Sequence, residues 1–167
     1  MFSIYKSHQK DLYNKLVELS RNIFFYKKTQ LKDNFETRIK LIFVHLSLIL
    51  IIFKEKKKDS FPQDIFDNIF LNIEYHIREL GYGDVAVNKK MKELLKIFYD
   101  ILLNLRLPKK HKNIINKSVL KNYFELQLVR HDELSYLLVD YFEQFYYFCF
   151  EIENNSVLKG GINFKFK

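Results

Sequence analysis

The longest apolar run in the chain, LIFVHLSLILIIF at residues 41–53, limits the folds that the chain can adopt. The run is shorter than the ~20 residues that a helix needs to cross a bilayer. It also contains the polar residues His45 and Ser47. A stretch that is apolar on every side, yet too short to span a membrane, is typical of a helix enclosed by other helices. We therefore predict a buried central apolar helix.

Apolar residues recur at helical spacing along nearly the whole sequence, and no segment alternates cleanly with a period of two. We therefore predict an all-α fold, a bundle of about six helices around the central one. Because the chain is long enough to bury one sizeable core, residues 1–167 are expected to form a single domain. Five of the predicted helices span about residues 9–27, with a break near Asn22, and 33–54, 62–80, 118–129 and 132–153. The remaining one, fourth in order, runs from the glycine turn to a stop at Pro108.

Two segments have the sequence pattern of a helix N-terminus. Asp33-Asn34-Phe35-Glu36 resembles a capping box that begins with Asp33. Ser60-Phe61-Pro62-Gln63 places a proline in the first turn after a capping serine. We predict that Asp33 and Ser60 cap the helices that follow them.

Two of the four glycines lie in RELGYGDVAVNKKMK, residues 78–92, between two predicted helices. Gly81 falls where a helix commonly ends on a left-handed residue, since glycine has no Cβ to clash. We predict that Gly83 allows a second unusual turn, and that Asp84 or Asn88 accepts hydrogen bonds from the amides opening the next helix. A nucleotide-binding loop is excluded, because its third glycine would fall on Ala86 and a strand would have to precede it.

The net charge of +8 favours an anionic partner, either nucleic acid or an anionic membrane surface. The abundance of Lys, Asn, Ile, Phe and Tyr beside a single alanine is also what an AT-rich genome imposes on composition. Only five of the 28 basic residues are arginine. Proteins that recognise nucleic-acid sequences favour arginine, because its planar guanidinium group can form two parallel hydrogen bonds with a base. Nucleic acid is therefore not expected as a partner. The basic clusters at 54–58 and 109–112 are either a rim that faces a membrane or solvated linkers.

Residues that could carry catalysis or bind a metal are scattered along the chain. The five histidines and Cys149 show no metal-ligand spacing, and a single cysteine excludes an internal disulfide. We interpret His45 as a core histidine whose ring bonds to a neighbouring helix, and Cys149 as a small buried hydrophobe. The sequence therefore predicts no enzyme activity, no metal and no cofactor. Charges interrupt the N-terminal MFSIYKSHQKDLYNKL before the apolar core of a signal peptide could form, so a cytoplasmic location is expected.

Four blocks of the sequence resemble the bacterial branch of the ubiquinol-cytochrome c chaperone family, assembly factors for complex III of the respiratory chain. They are LYNKLVELSRNIFFY (12–26), DNFETRIKLIFVHLSLIL (33–50), FDNIFLNIEYHIRELGYGDVAVNKKMKELLKIFY (66–99) and LKGGINF (158–164). The third is the most specific, because its residues 78–92 match the family segment R-E-x-G-x-G-D-x-x-V-x-K-K/R-M-K. The resemblance points to a partner-binding surface formed by Arg78, Glu79, Gly81, Tyr82, Gly83, Asp84, Lys89, Lys90 and Lys92.

The resemblance implies a chaperone that holds newly made cytochrome b, nascent or newly inserted, during assembly of complex III. Mitochondrial relatives act with a small partner subunit and near the ribosome, and for this chain both partners stay open. Its place would be peripheral, at the cytoplasmic face of the bacterial inner membrane, or at the matrix side in a mitochondrion. Such a holdase needs an exposed apolar or aromatic surface, which the aromatic segment YFEQFYYFCF at 141–150 is expected to supply.

The alternative function is a basic helical module that binds RNA or the ribosome. The low arginine content, and the lack of alternating aromatic and basic residues on one face, count against it. An RNA affinity that falls steeply with salt, together with no interaction with cytochrome b, would favour this alternative.

Overall fold

The computed structural model describes residues 10–126 and 132–167 of the chain, and helices are the main element of both parts. In the described residues there are no strands, apart from one isolated bridge between Arg106 and Ile115. The helices are α1 (Asp11–Ser20), α2 (Ile23–Lys27), α3 (Phe35–Lys56), α4 (Gln63–Glu79), α5 (Asp84–Asn104), α6 (Lys117–Tyr123), α7 (Asp132–Glu151) and α8 (Asn154–Leu158). The all-α prediction is therefore confirmed.

Helix α3 is the centre of the bundle. Twelve of its 22 residues are buried, because α1, α5 and α7 all pack against it. The apolar run at 41–53 lies within this helix, so the prediction of a buried central helix is confirmed. In the ranges 10–126 and 132–167, no helix combines the length and the apolarity that a membrane span requires.

The N-terminus of α3 lies one residue later than predicted. Asn34, rather than Asp33, has the extended backbone of a capping residue, and its Oδ1 accepts a hydrogen bond from the Thr37 amide at 2.9 Å. Asp33 instead accepts a hydrogen bond from Arg38 Nε at 3.0 Å. The predicted cap at Asp33 is therefore wrong, because the Asp33 carboxylate has a guanidinium partner within reach and Asn34 is the residue beside the free amides.

Other boundaries agree with the sequence in part. The break near Asn22 is confirmed, because Asn22 caps α2 by accepting from the Phe24 amide at 3.0 Å. Ser60 does not cap α4, since the capping position falls on Pro62 and has no side-chain hydrogen bond. Helix α6 ends at Tyr123 and helix α7 at Glu151, and both ends come earlier than predicted. The last three residues of the helix predicted over 118–129 lie outside the described residues. The short helix α8 was not predicted.

His45 is bonded at both ring nitrogens in the middle of α3. Its Nδ1 donates to the Leu41 carbonyl at 2.7 Å, and its Nε2 accepts from the Tyr141 hydroxyl of α7 at 3.0 Å. Burial lowers the pKa of His45 from its ordinary value to about 4, so the ring is neutral at physiological pH. The interpretation of His45 as a core histidine bonded to a neighbouring helix is confirmed.

The C-terminal tail closes the bundle over Tyr141. Phe164 meets the Tyr141 ring edge-on, with ring centroids 5.3 Å apart, and Phe166 lies 5.5 Å from the same ring. The tail reaches this position through Gly160, whose φ is +74°. A Cβ at Gly160 would lie 2.7 Å from the Asp11 carbonyl oxygen of α1, so a glycine is required there for packing as well as for conformation.

We predict that Tyr141→Phe lowers the free energy of unfolding by about 1–3 kcal/mol, because it leaves the buried Nε2 of His45 without its donor. Tyr147→Phe on the same helix is the matched control and should change it by less than about 0.5 kcal/mol, since Tyr147 is 58% exposed. Urea denaturation of both variants measures the difference. Equal stability of the two variants would contradict a structural role for the His45–Tyr141 hydrogen bond.

Candidate functional site

The turn between α4 and α5 contains the segment that the sequence singled out. Gly81 follows the end of α4 with φ +95°, and its amide donates to the Arg78 carbonyl at 3.0 Å. The predicted left-handed glycine is confirmed. Gly83 is the capping residue of α5 and has φ −76° and ψ 167°, which any residue can adopt. The prediction of a second unusual turn at Gly83 is therefore wrong.

Arg78 joins the two helices across this turn. One of its terminal nitrogens donates to Glu74 Oε1 at 3.1 Å, and the other donates to the Asp84 carboxylate. These two carboxylates, Asp84 first, raise the pKa of Arg78 above its ordinary value. Neither Asp84 nor Asn88 caps α5, because the capping position is Gly83 and no side chain bonds the first amides there. The carboxylate of Asp84 therefore fixes the angle of the turn rather than the start of the helix.

The turn exposes apolar side chains to solvent. We define the turn surface as residues 78–86, all of which are exposed. Within it Leu80 is 52% exposed, Tyr82 49% and Val85 85%. Large apolar groups placed together at one turn are typical of a surface that binds another molecule. The sequence prediction included Tyr82 but missed Leu80 and Val85. The exposure of Val85 could have been predicted from the sequence, since helical spacing places it opposite the buried apolar residues of α5.

The lysines of the predicted site fall into two groups. Lys90 donates to Glu36 Oε1 of α3 at 3.1 Å, so it fastens α5 to the central helix. Lys89 and Lys92 point away from the bundle and form no ion pair with any residue of the described ranges. The structure therefore separates Lys90, Arg78 and Asp84, which join helices, from the outward-facing lysines.

The outward face of α5 continues from the turn surface. Its exposed residues recur every three or four positions, directly opposite the buried face of the helix. They are Val85, Lys89, Lys92, Lys96, Tyr99 and Leu103. This outward face is partly apolar, because Tyr99 is 48% exposed and Leu103 78%.

The aromatic segment at 141–150 does not form an exposed surface. Tyr141, Phe142, Phe145, Tyr146 and Cys149 are buried against the core, and Tyr147 is the exposed aromatic side chain of the segment. The expectation that this segment supplies the holdase surface is wrong, because its rings fill the space around α3. The exposed apolar groups of the turn surface remain for that role.

The described residues do not assemble a catalytic or metal-binding centre. Residues 10–126 and 132–167 contain no group of three His, Cys, Asp or Glu side chains placed to hold a metal ion. Burial raises the pKa of the Cys149 thiol to about 12, so the thiol stays protonated and unreactive.

A family model described as ubiquinol-cytochrome C chaperone matches residues 27–164. Among solved structures, the crystal structure of the Cbp3 homolog from Brucella abortus is similar to this chain, with a TM-score of 0.70 and 23% sequence identity. The similarity covers 95% of this chain and 89% of that one, and at this identity it establishes a shared fold. No curated protein sequence matches the chain.

We predict that Gly81→Ala lowers the free energy of unfolding by about 1 kcal/mol or more, because alanine is strained at φ +95°. Gly83→Ser is the control. It should change stability by less than about 0.5 kcal/mol, because its backbone is extended and serine is a favoured capping residue. A Cβ meets no atom within 4 Å at either glycine, so the comparison isolates backbone conformation. Equal denaturation midpoints would show that the turn tolerates a different backbone path.

Proposed function

The chain belongs to the ubiquinol-cytochrome c chaperone family, and we propose that it acts in complex III assembly by holding newly made cytochrome b. Membership rests on a match that covers most of the chain, from residue 27 to residue 164. The proposed role is binding without catalysis, and residues 1–167 act as one domain in it. The place of action is the surface of the respiratory-chain membrane, on the cytoplasmic side in a bacterium or the matrix side in a mitochondrion.

The turn surface is the observation that supports this function most directly. A chaperone for a membrane protein must cover apolar segments that water would otherwise contact, while releasing them later. Leu80, Tyr82 and Val85 are exposed apolar groups at one short turn, and the exposed charged residues Glu79 and Lys89 lie next to them in the sequence. Such an area favours reversible binding, since the contact is small and its rim is polar.

The Arg78 ion pairs connect the two helix ends at the turn surface. Because Arg78 donates to Glu74 of α4 and Asp84 of α5, these contacts favour one relative orientation of the helix ends. A surface that is already ordered loses less conformational entropy when it binds. We therefore assign Arg78, Gly81 and Asp84 to positioning, and Tyr82 and Val85 to contact with the client.

We predict that a double variant, Tyr82→Ser with Val85→Ser, fails to restore cytochrome b and complex III in a strain that lacks this protein. Tyr99→Ser with Leu103→Ser on α5 is a matched control, because it removes a tyrosine and an aliphatic residue of nearly equal exposure. The control should restore both. Immunoblots of cytochrome b and native gels of complex III measure the outcome, and thermal melting confirms that both variants fold.

Three results would overturn parts of this proposal. Normal cytochrome b and complex III in the strain without the protein would reject the chaperone role. Failure of the control together with full activity of the turn variant would move the contact surface to the outward face of α5. Salt-sensitive RNA binding in the absence of any effect on cytochrome b would instead support an RNA-binding module.

A further inference from the structure

The charged side chains at the C-terminal end of α3 differ in direction, because some point into the bundle and others point into solvent. The segment 54–58 reads KEKKK. Glu55 turns inward, where its Oε1 accepts from Arg106 Nε at 3.0 Å and its other oxygen accepts from the Tyr146 hydroxyl. Lys56 also turns inward, and its Nζ donates to the Ile152 carbonyl at 2.6 Å. These two side chains therefore have structural roles.

The other three lysines of the segment surround a cavity. Lys54, Lys57 and Lys58 are exposed and line a space of about 380 Å³ between the end of α3 and residues 59–61 of the connection that follows it. None of the three forms an ion pair with a residue of the ranges 10–126 and 132–167. The left-handed conformation of Lys57, with φ 54°, ends the helix and brings the following residues back over the cavity.

The floor of this cavity is apolar. Leu50, Phe53 and Phe61 line it, and the two rings pack edge to face with their centroids 5.3 Å apart. One carboxylate, Asp59, also lines the cavity, and its Oδ2 accepts from Asn154 Nδ2 at 3.4 Å. Against three lysines this leaves an excess of positive charge around an apolar floor.

We propose that this cavity, which we call the lysine cavity, docks the headgroup of an anionic phospholipid in the bilayer. The lysines pair with the phosphate, while Leu50 and Phe61 contact the glycerol and the first part of the acyl chains. This inference rests on the proposed function, because a chaperone for a membrane protein has to work at the bilayer surface. It adds the site and the ligand class by which the chain reaches that surface.

The chemistry of the cavity favours a lipid over two other anions. Inorganic phosphate would pair with the lysines but make no use of the apolar floor. A nucleic-acid strand would need a freely exposed ring face on which a base could stack. Phe53 is 3% exposed, and the half-buried Phe61 packs its ring against Phe53. A lipid headgroup presents both the phosphate and an adjoining apolar part.

The test compares two charge reversals that change the net charge equally. The site variant is Lys54→Glu with Lys58→Glu, which leaves Lys57 and its left-handed backbone unchanged. The control is Lys27→Glu with Lys28→Glu, two exposed lysines at the C-terminal end of α2 with no ion pair in the described residues. Binding of the full chain is measured by flotation with vesicles containing about 30% phosphatidylglycerol in phosphatidylcholine, and with pure phosphatidylcholine vesicles.

We predict that the site variant binds the anionic vesicles at least about tenfold more weakly than the unaltered protein, while the control stays within about threefold. The unaltered protein should float weakly with phosphatidylcholine alone. Lys54→Arg with Lys58→Arg should keep binding, because it keeps the charge.

Several outcomes would reject the lysine cavity as a lipid site. Equal losses in the two reversal variants would mean that net charge alone attracts the protein to vesicles. A loss confined to the control would place docking at the end of α2. Full displacement by millimolar inorganic phosphate at constant ionic strength would identify a free-phosphate site. Because flotation is measured without cytochrome b, failure of this inference leaves the chaperone proposal untouched, and failure of the chaperone proposal leaves the flotation result valid.

Discussion

Burial of α3 from three sides by α1, α5 and α7 is the constraint on which the rest of the structure depends. An all-round apolar helix can be stable in water only when neighbouring helices cover each face. The cover is largely aromatic, because Phe25, Tyr141, Phe142 and Phe145 gather around His45. A polar ring in such surroundings must have its hydrogen bonds satisfied, and the Leu41 carbonyl and Tyr141 hydroxyl do this.

The need to cover α3 also determines which apolar side chains stay exposed on the surface of the bundle. Half of the eight aromatic side chains of α7 are buried, and two, Tyr136 and Tyr147, are exposed. The turn between α4 and α5 lies beyond the end of their packed faces, so its apolar residues have no core to fill. The short turn, with its Arg78–Asp84 ion pair, therefore exposes Leu80, Tyr82 and Val85 without loss of packing in the bundle.

Features that follow from the local hydrophobic pattern or backbone conformation could be predicted from the sequence. Features that depend on which side chains meet in the folded bundle could not. The central helix, the break at Asn22 and the left-handed Gly81 all follow from local hydrophobicity or backbone conformation. The caps at Asp33 and Ser60 failed, because Asp33 pairs with Arg38 and the capping position of α4 falls on Pro62. The role of Lys90 could not be predicted either, because its partner Glu36 is 54 residues away in the chain.

The central claim is that the turn surface contacts newly made cytochrome b. A photoreactive phenylalanine analogue placed at Tyr82 tests it directly, with the same analogue at Tyr147 on α7 as the control, since both tyrosines are about half exposed. The cells are irradiated just after a pulse of labelled amino acids and again after a chase. The account predicts a crosslink from position 82 to labelled cytochrome b that fades during the chase, and a much weaker one from position 147. Equal crosslinks from the two positions, or none from position 82 while the protein still supports complex III, would contradict the claim.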